Sequence, residues 1–486
     1  MASPFLSRLA ALAGSSRPAV VDDRRELTHS ELMERARRAA AHLGPLAGRR
    51  VALLATQDAD WLAAFLGVVV AGGVVVPLSP AYPPADLAWF AEDAGADVAI
   101  VSPEHAERAG AMVAGRRVMS PVELFTKAPG PLDAASASAG DGVVLFYTSG
   151  TTARPKGVML SHANLATQAE VIRDFWGLVA EDRLLHTLPL HHVHGLGIAL
   201  LNVLLAGGSV RMLPRFDASR VLDLLAEGGA SVFMAVPTMY HRLRENADPD
   251  RARRAAAGLR LATSGSAALP ASLAEWWAQA SGTIPLERFG MTEIGVALSN
   301  PLDPAGRRVG HVGHPLPTVE IRLVDEAGVE SESGPAELWV RGPSVFSGYH
   351  ARPDATAAAF TEGGWFRTGD VAVRGEGGAI RLLGRTSVDI LKSGGYKISA
   401  LEVEEVFRAH PSVGEVAVVG VADERWGERI VAVVVPSGAC DVETLRIFAR
   451  ERLASYKVPR DIVIESELPR NAMGKVMKPD LVKRLR

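Results

Sequence analysis

Tyr147-Thr148-Ser149-Gly150-Thr151-Thr152-Ala153-Arg154-Pro155-Lys156-Gly157 follows the apolar run Val143-Val144-Leu145-Phe146. That run predicts a buried strand bounded by turn signals. The loop after it holds four Ser/Thr residues, two glycines and two cations. Glycine lets backbone approach an anion closely, and N–H groups, hydroxyls and an ammonium together surround phosphate oxygens. The loop is not a Walker A sequence, because Gly157 stands after Lys156 where Ser or Thr is required. Taken alone, such a loop also serves as a polar surface turn between two strands.

Working outward, 486 residues exceed one core, so two or three domains are expected. A net charge of −3 supplies no field for nucleic acid or an anionic membrane. Cys440 is the only cysteine, which excludes an internal disulfide and suits a reducing compartment. No apolar run reaches the roughly 18 residues of a membrane span. Met1 to Arg17 is a poor signal peptide, and a cytoplasmic protein is expected.

The chain in order predicts a hairpin at Ala19–Leu27, then a helix to Leu43 opened by the capping-box spacing of Thr28 and Glu31. Strands at 51–54, 74–76 and 98–100 alternate with helices, which argues for a parallel sheet with covered faces. After Gly157 the alternation resumes, with a histidine-rich loop His191-His192-Val193-His194-Gly195 ahead of a helix expected at Leu196–Leu205. Strands at 259–261 and 285–286 lead into small and polar residues, where open α/β sheets bind ligands. From about Gly310 alternating strands mark an appended β region, and after Gly384 comes a small α+β domain. The expected fold is therefore α/β: a large N-terminal domain (1–384) of two α/β subdomains plus a β-rich subdomain, and a small mobile α+β C-terminal domain (385–486).

Further motifs recur downstream: Gly265-Ser266-Ala267, Arg288-Phe289-Gly290-Met291-Thr292-Glu293, Trp365-Phe366-Arg367-Thr368-Gly369-Asp370, Gly384-Arg385, Lys392-Ser393-Gly394-Gly395-Tyr396-Lys397 and Pro469-Arg470-Asn471-Ala472-Met473-Gly474-Lys475. Together with the opening loop, in this order and over essentially the whole chain, they resemble the adenylate-forming superfamily of acyl-CoA synthetases, luciferases and peptide-synthetase adenylation domains. The resemblance implies two steps. A carboxylate attacks the α-phosphate of ATP and releases pyrophosphate, and a thiol then displaces AMP. Both steps build negative charge, so preorganised cations and N–H donors are the expected source of acceleration.

Matched position by position, the resemblance implies that Thr148, Ser149, Gly150, Thr151, Thr152 and Lys156 hold the β- and γ-phosphates. Gly265, Ser266, Ala267, Arg288, Phe289 and Gly290 would flank adenine. Thr292 would touch the α-phosphate, and Glu293 with Thr151 would hold Mg²⁺. Asp370 and Arg385 would bind the ribose, and Lys475 would bridge the reacting carboxylate and the α-phosphate. Lys392, Gly394, Gly395 and Tyr396 would serve the coenzyme A step. Singly, Asp370 also reads as a turn aspartate and Lys475 as a solvated lysine. Two positions depart from the pattern. Ala153 stands where the family usually has Gly, and Ser387 stands at the spacing where many relatives carry a charged hinge residue, with Asp389 the first charge after Arg385.

The acid is expected from the pocket. Val236-Pro237-Thr238-Met239-Tyr240-His241-Arg242 resembles the corresponding segment of malonyl-CoA synthetases, in which the arginine binds the distal carboxylate. A dicarboxylate needs such a cation, since an unpartnered buried carboxylate is very costly. The segments His191–Gly195, Gly290–Gly295 with Ala297–Ser299, and Arg385–Ile390 resemble the same subgroup; His192, His194 and Ser264 are also expected at the substrate, with His192 implied in the chemistry as well. Malonate, with methylmalonate as a second substrate, is therefore the expected acid. Arg242 also reads as a solvated helix residue. The alternatives are a synthetase for a fatty or aryl monocarboxylate, an adenylation enzyme loading a carrier protein, and a degenerate nucleotide-binding regulator.

Overall fold

The computed structural model describes residues 2–133, 137–148, 155–470 and 476–485. The chain divides into two compact units. One holds Met1–Val309, Gly313–Glu320 and Arg341–Thr361, and the other holds Gly310–Val312, Ile321–Val340 and Glu362–Arg486.

The first unit carries two sheets. A six-stranded sheet runs in the order Arg117–Met119, Ala96–Val101, Arg50–Leu54, Val74–Pro77, Gly142–Thr148 and Lys156–Ser161. Its neighbours are parallel except the last pair, an antiparallel hairpin in which Thr148 faces Lys156. The phosphate-loop residues Ser149, Gly150, Thr151, Thr152, Ala153 and Arg154 lie outside the described residues. The parallel strands read as continuous Val/Ile/Leu runs because both faces are covered. Helix Ala59–Val70, buried along nearly its whole length, is one of the covers.

The second sheet has nine strands, in the order His314–Pro315, Gly295–Ser299, Leu286–Met291, Leu261–Ser264, Val232–Ala235, Arg183–His186, Ser209–Met212, Pro18–Val21 and Glu26–Thr28. The expected N-terminal hairpin thus closes the edge of a sheet made mostly from residues 183–315, a long-range pairing that local periodicity does not reveal. Thr28 and Glu31 form the expected capping box at the start of helix His29–Leu43. Helix Pro4–Leu12, capped by Ser3, buries Phe5, Leu6 and Leu9.

Two local expectations change. The helix after the histidine loop begins at His194, and its first residues, His194–Leu200, are π-helical before an α-helical turn at Leu201–Leu205. A side chain at Gly195 would sit 2.2 Å from the Pro189 carbonyl, so only glycine allows the chain to wind up so early. Strand Leu286–Met291 runs through Arg288-Phe289-Gly290, which were expected beyond the strand's end, because these residues pair antiparallel with Gly295–Ser299.

In the second unit, an antiparallel sheet orders Glu320–Val324, Ala336–Arg341, Phe366–Arg374 and Ile380–Arg385. Asp370 lies inside a strand, not in a turn. The remainder is the α+β arrangement expected. Helices Ala400–Arg408 and Val442–Arg452 pack on long strands Val413–Asp423 and Gly427–Pro436. The hairpin Ile390–Ser393 and Tyr396–Ser399 joins the same sheet and turns through Gly394 and Gly395, both at positive φ. A two-residue Gly-Gly turn of this kind matches the twist of its strands. Among the described residues no helix is long and apolar enough to cross a membrane.

Candidate active site

In the first unit, strand Leu261–Ser264, strand Leu286–Met291 and the π-helical turn bring the predicted residues 264–266, 288 and 194 together. The His194 ring nitrogen Nδ1 lies 3.1 Å from the Ser266 hydroxyl, and Ser266 takes a positive φ of 69°. Such a φ is uncommon outside glycine and belongs to tightly constrained sites. Gly265 lies directly against the Arg288 guanidinium, since a Cβ there would stand 2.4 Å from its Cζ. Any side chain at 265 would push that guanidinium out of place.

Arg288 is 5% exposed, and its Nε and Nη2 have no hydrogen-bond partner among the described residues. Burial pushes its pKa down to about 10, so the charge is held at a cost. The Ser264 hydroxyl and His194 Nε2 are likewise buried without partners. A cluster of unsatisfied donors around a buried cation is a site prepared for an anion, because native interiors otherwise pair such groups.

Burial lowers His192 to about 4 and His186 to about 3, and it holds His194 well below its usual range, with Arg288 adding repulsion. The same holds for His162, lowered to about 4 by burial. Folding therefore opposes protonation, while the unfolded chain takes up protons below about 6.5. Stability is complete above that value and is lost as pH falls from 6.5 towards 3–4. The slope is roughly 1.4 kcal/mol per pH unit for each fully titrating histidine. The thermal midpoint of the first unit is expected to fall measurably between pH 6.5 and 5, before most carboxylates titrate, and His186→Leu should flatten that slope.

Glu293, 5% exposed, receives the Tyr349 hydroxyl on Oε1 at 2.9 Å, and its carbonyl accepts the Phe346 N–H at 2.8 Å. Thr292 beside it is partly exposed. The Lys156 ammonium sits 4.3 Å above the Tyr349 ring centroid, and Thr148 Oγ1 donates to the Lys156 carbonyl at 3.3 Å. Glu293 and Lys156, assigned to metal and phosphate by resemblance, thus meet on one tyrosine. The sequence reading missed Tyr349, since a single tyrosine in the segment Gly348–Ala351 carries no motif of its own. His192 packs ring to ring on His191 at 4.1 Å. Phe289 is buried. Arg242 stands apart from this buried group: it is exposed on helix Pro237–Glu245, whose buried face is Pro237, Met239, Tyr240 and Leu243. Lys475 lies outside the described residues.

In the second unit, Arg385 Nε lies 3.0 Å from Asp370 Oδ1 and its Nη1 donates to the Thr368 carbonyl at 2.8 Å. The Gly394 N–H donates to the Trp426 carbonyl at 2.9 Å. Lys392 and Lys397 both reach Glu326, at 3.3 and 3.2 Å. Tyr396 is exposed and stacks on Tyr456 at 4.3 Å.

An α/β unit with a Ser/Thr/Gly-rich sequence between two paired strands, a buried cation within another strand and a buried glutamate just after it, followed by an α+β unit with a Gly-Gly hairpin, is the arrangement of an adenylating enzyme. The chain belongs to the AMP-binding enzyme family: its model matches residues 8–350, and that of the AMP-binding enzyme C-terminal domain matches residues 402–475. Among its relatives is the mitochondrial malonate–CoA ligase of Mus musculus, 40% identical over 98% of this chain and 90% of that protein. The ATP-bound crystal structure of MatB from Rhodopseudomonas palustris is similar with a TM-score of 0.93 and 36% identity, covering 100% of this chain and 99% of that one. A malonyl-CoA ligase ternary product complex with methylmalonyl-CoA and AMP is 41% identical with a TM-score of 0.72, covering 96% of this chain and all of that one.

Proposed function

We propose that this protein is an ATP-dependent malonate–CoA ligase of the AMP-forming kind. The observation that carries the acid's identity is the buried Arg288 guanidinium against Gly265, its Nε and Nη2 without partners among the described residues. A monocarboxylate spends its only charge on the reacting end and leaves such a cation unanswered. A dicarboxylate brings a second charge, for which a planar guanidinium is the best-matched partner. On this reading Arg288 holds the distal carboxylate with its side chain while its backbone borders the adenine. The Ser264 hydroxyl and His194 Nε2 are the nearby unpaired polar groups, and Arg242 adds positive charge at the rim.

In the first step a malonate oxygen attacks the α-phosphorus as the bond to pyrophosphate breaks, giving malonyl-AMP. In the second the coenzyme A sulfur attacks the malonyl carbonyl, its proton leaves to solvent, and the bond to AMP breaks. The Thr148–Lys156 loop receives the departing phosphates, and Lys475 neutralises charge between the carboxylate and the α-phosphate. Glu293 with Thr151 offers hard oxygen donors that suit Mg²⁺, which when bound supplies charge neutralisation on the phosphates. Asp370 and Arg385 take the ribose. His192, held neutral by its burial, lines the acyl pocket as a hydrogen-bonding group. Lys475 serves the first step and Lys392, Gly394, Gly395 and Tyr396 the second. The domain 385–486, with its boundary at 384/385, is therefore presented in two ways during turnover.

The product is an activated three-carbon unit of the sort that fatty acid metabolism consumes, and the lone Cys440 suits a reducing, cytoplasmic setting. Product analysis tests the reaction type. With malonate and ATP alone, one pyrophosphate per site is expected. Added coenzyme A should bring turnover to AMP and malonyl-CoA, and a carrier protein in its place should not.

A further inference from the structure

We propose that Tyr349 is a positioning residue that holds the Glu293 carboxylate and the Lys156 ammonium at a fixed separation, so that both remain charged towards metal and phosphate. This rests on the reading of Glu293 and Lys156 given above. One phenol contacts both groups with different parts: its hydroxyl donates to Glu293 Oε1 at 2.9 Å, and the face of its ring carries the Lys156 ammonium at 4.3 Å. A direct Lys156–Glu293 ion pair would neutralise each group, and among the described residues none forms. A hydroxyl donor stabilises the carboxylate without adding positive charge, and a π-face attracts an ammonium without adding negative charge. Neither group is therefore compensated by an opposite charge on this tyrosine.

The phenol is itself built in. The backbone of Tyr349 bridges Val158 in the phosphate hairpin, and the His350 N–H donates to the Gly157 carbonyl at 2.8 Å. The Tyr349 N–H donates to Thr356 Oγ1 at 2.9 Å, and Phe346 packs edge-on against its ring at 4.9 Å. Because Phe346 also donates its N–H to the Glu293 carbonyl, residues 346–350 tie the glutamate's turn to the hairpin's base. Partners that orient a ligating carboxylate typically govern metal affinity by 10- to 100-fold.

The test is Mn²⁺ binding to the full chain with α,β-methylene-ATP, followed by electron paramagnetic resonance. Tyr349→Phe keeps the ring over Lys156 and removes only the donor, so the Mn²⁺ Kd should rise about 10-fold or more while nucleotide affinity at saturating metal stays within about threefold. Tyr349→Leu removes the ring as well and should weaken nucleotide binding too. Glu293→Gln is the reference and should abolish the metal signal. If Tyr349→Phe binds Mn²⁺ like the parent while Glu293→Gln does not, the positioning role is overturned and the metal site stands. If Glu293→Gln also binds like the parent, the metal site and this inference both fall.

Discussion

Arg288→Met is expected to lower kcat/KM for malonate by two to three orders of magnitude while leaving the KM for ATP within about threefold. Losing the one buried partner of a charge costs about 3–5 kcal/mol, which at about 1.4 kcal/mol per decade covers that range. The same substitution should leave the thermal midpoint unchanged or raise it. In the ligand-free protein the guanidinium is desolvated without a counter-ion, and a methionine of similar length relieves that cost. A fall in activity with no fall in stability separates a binding cation from a packing residue. Arg242→Ala is the comparison. Being exposed, Arg242 should weaken malonate use by about tenfold or less, in line with the modest worth of exposed pairs.

The second large effect concerns stability. The Lys478 ammonium is 12% exposed and lies 2.6 Å from Asp389 Oδ1 and 2.7 Å from Glu404 Oε1. Burial alone would depress it, but Glu404 and Asp389 hold it above its ordinary value. Asp389 also accepts the Arg385 N–H at 3.0 Å, and Glu404 the Val418 N–H at 2.9 Å. The lysine therefore ties the start of the C-terminal hairpin region, helix Ala400–Arg408 and helix Lys478–Arg484 into one knot. Lys478→Met leaves buried Asp389 without a cation and Glu404 with Arg408 alone, and should destabilise the second unit by about 3–5 kcal/mol. In chemical unfolding of the full chain, the transition reporting that unit should move to lower denaturant while the other stays. Lys478→Arg should recover part of the loss. Coincident, unshifted transitions in Lys478→Met would mean that the knot contributes little.

Much of this was legible in the sequence, and the exceptions have physical causes. Alternating apolar strands and capped helices carry local signals, so the parallel sheets, the capping box at Thr28 and the β region after Gly310 could be anticipated. Pairing across long sequence distances could not, which is why residues 18–28 joining the nine-stranded sheet came only from the structure. The candidate site residues were named from motifs, and the structure brings Ser264–Ser266, Arg288 and His194 together and sets Glu293 and Lys156 on one tyrosine. Which way a side chain faces was not legible. Arg288 and Arg242 are both arginines in matching segments, yet one is buried against Gly265 and the other is exposed. Asp389 was read only as the first charge after Arg385, whereas Lys478, 89 residues further on, holds it in place. Tyr349 gave no signal because its role depends on three segments meeting.

The claim that the acid is malonate rests on one buried cation and is tested most directly by pyrophosphate release from the parent enzyme. Malonate, acetate, octanoate and benzoate would each be supplied with ATP, Mg²⁺ and coenzyme A. A kcat/KM for malonate at least 100-fold above the other three is the expected result. Octanoate or benzoate equalling or exceeding malonate would contradict it.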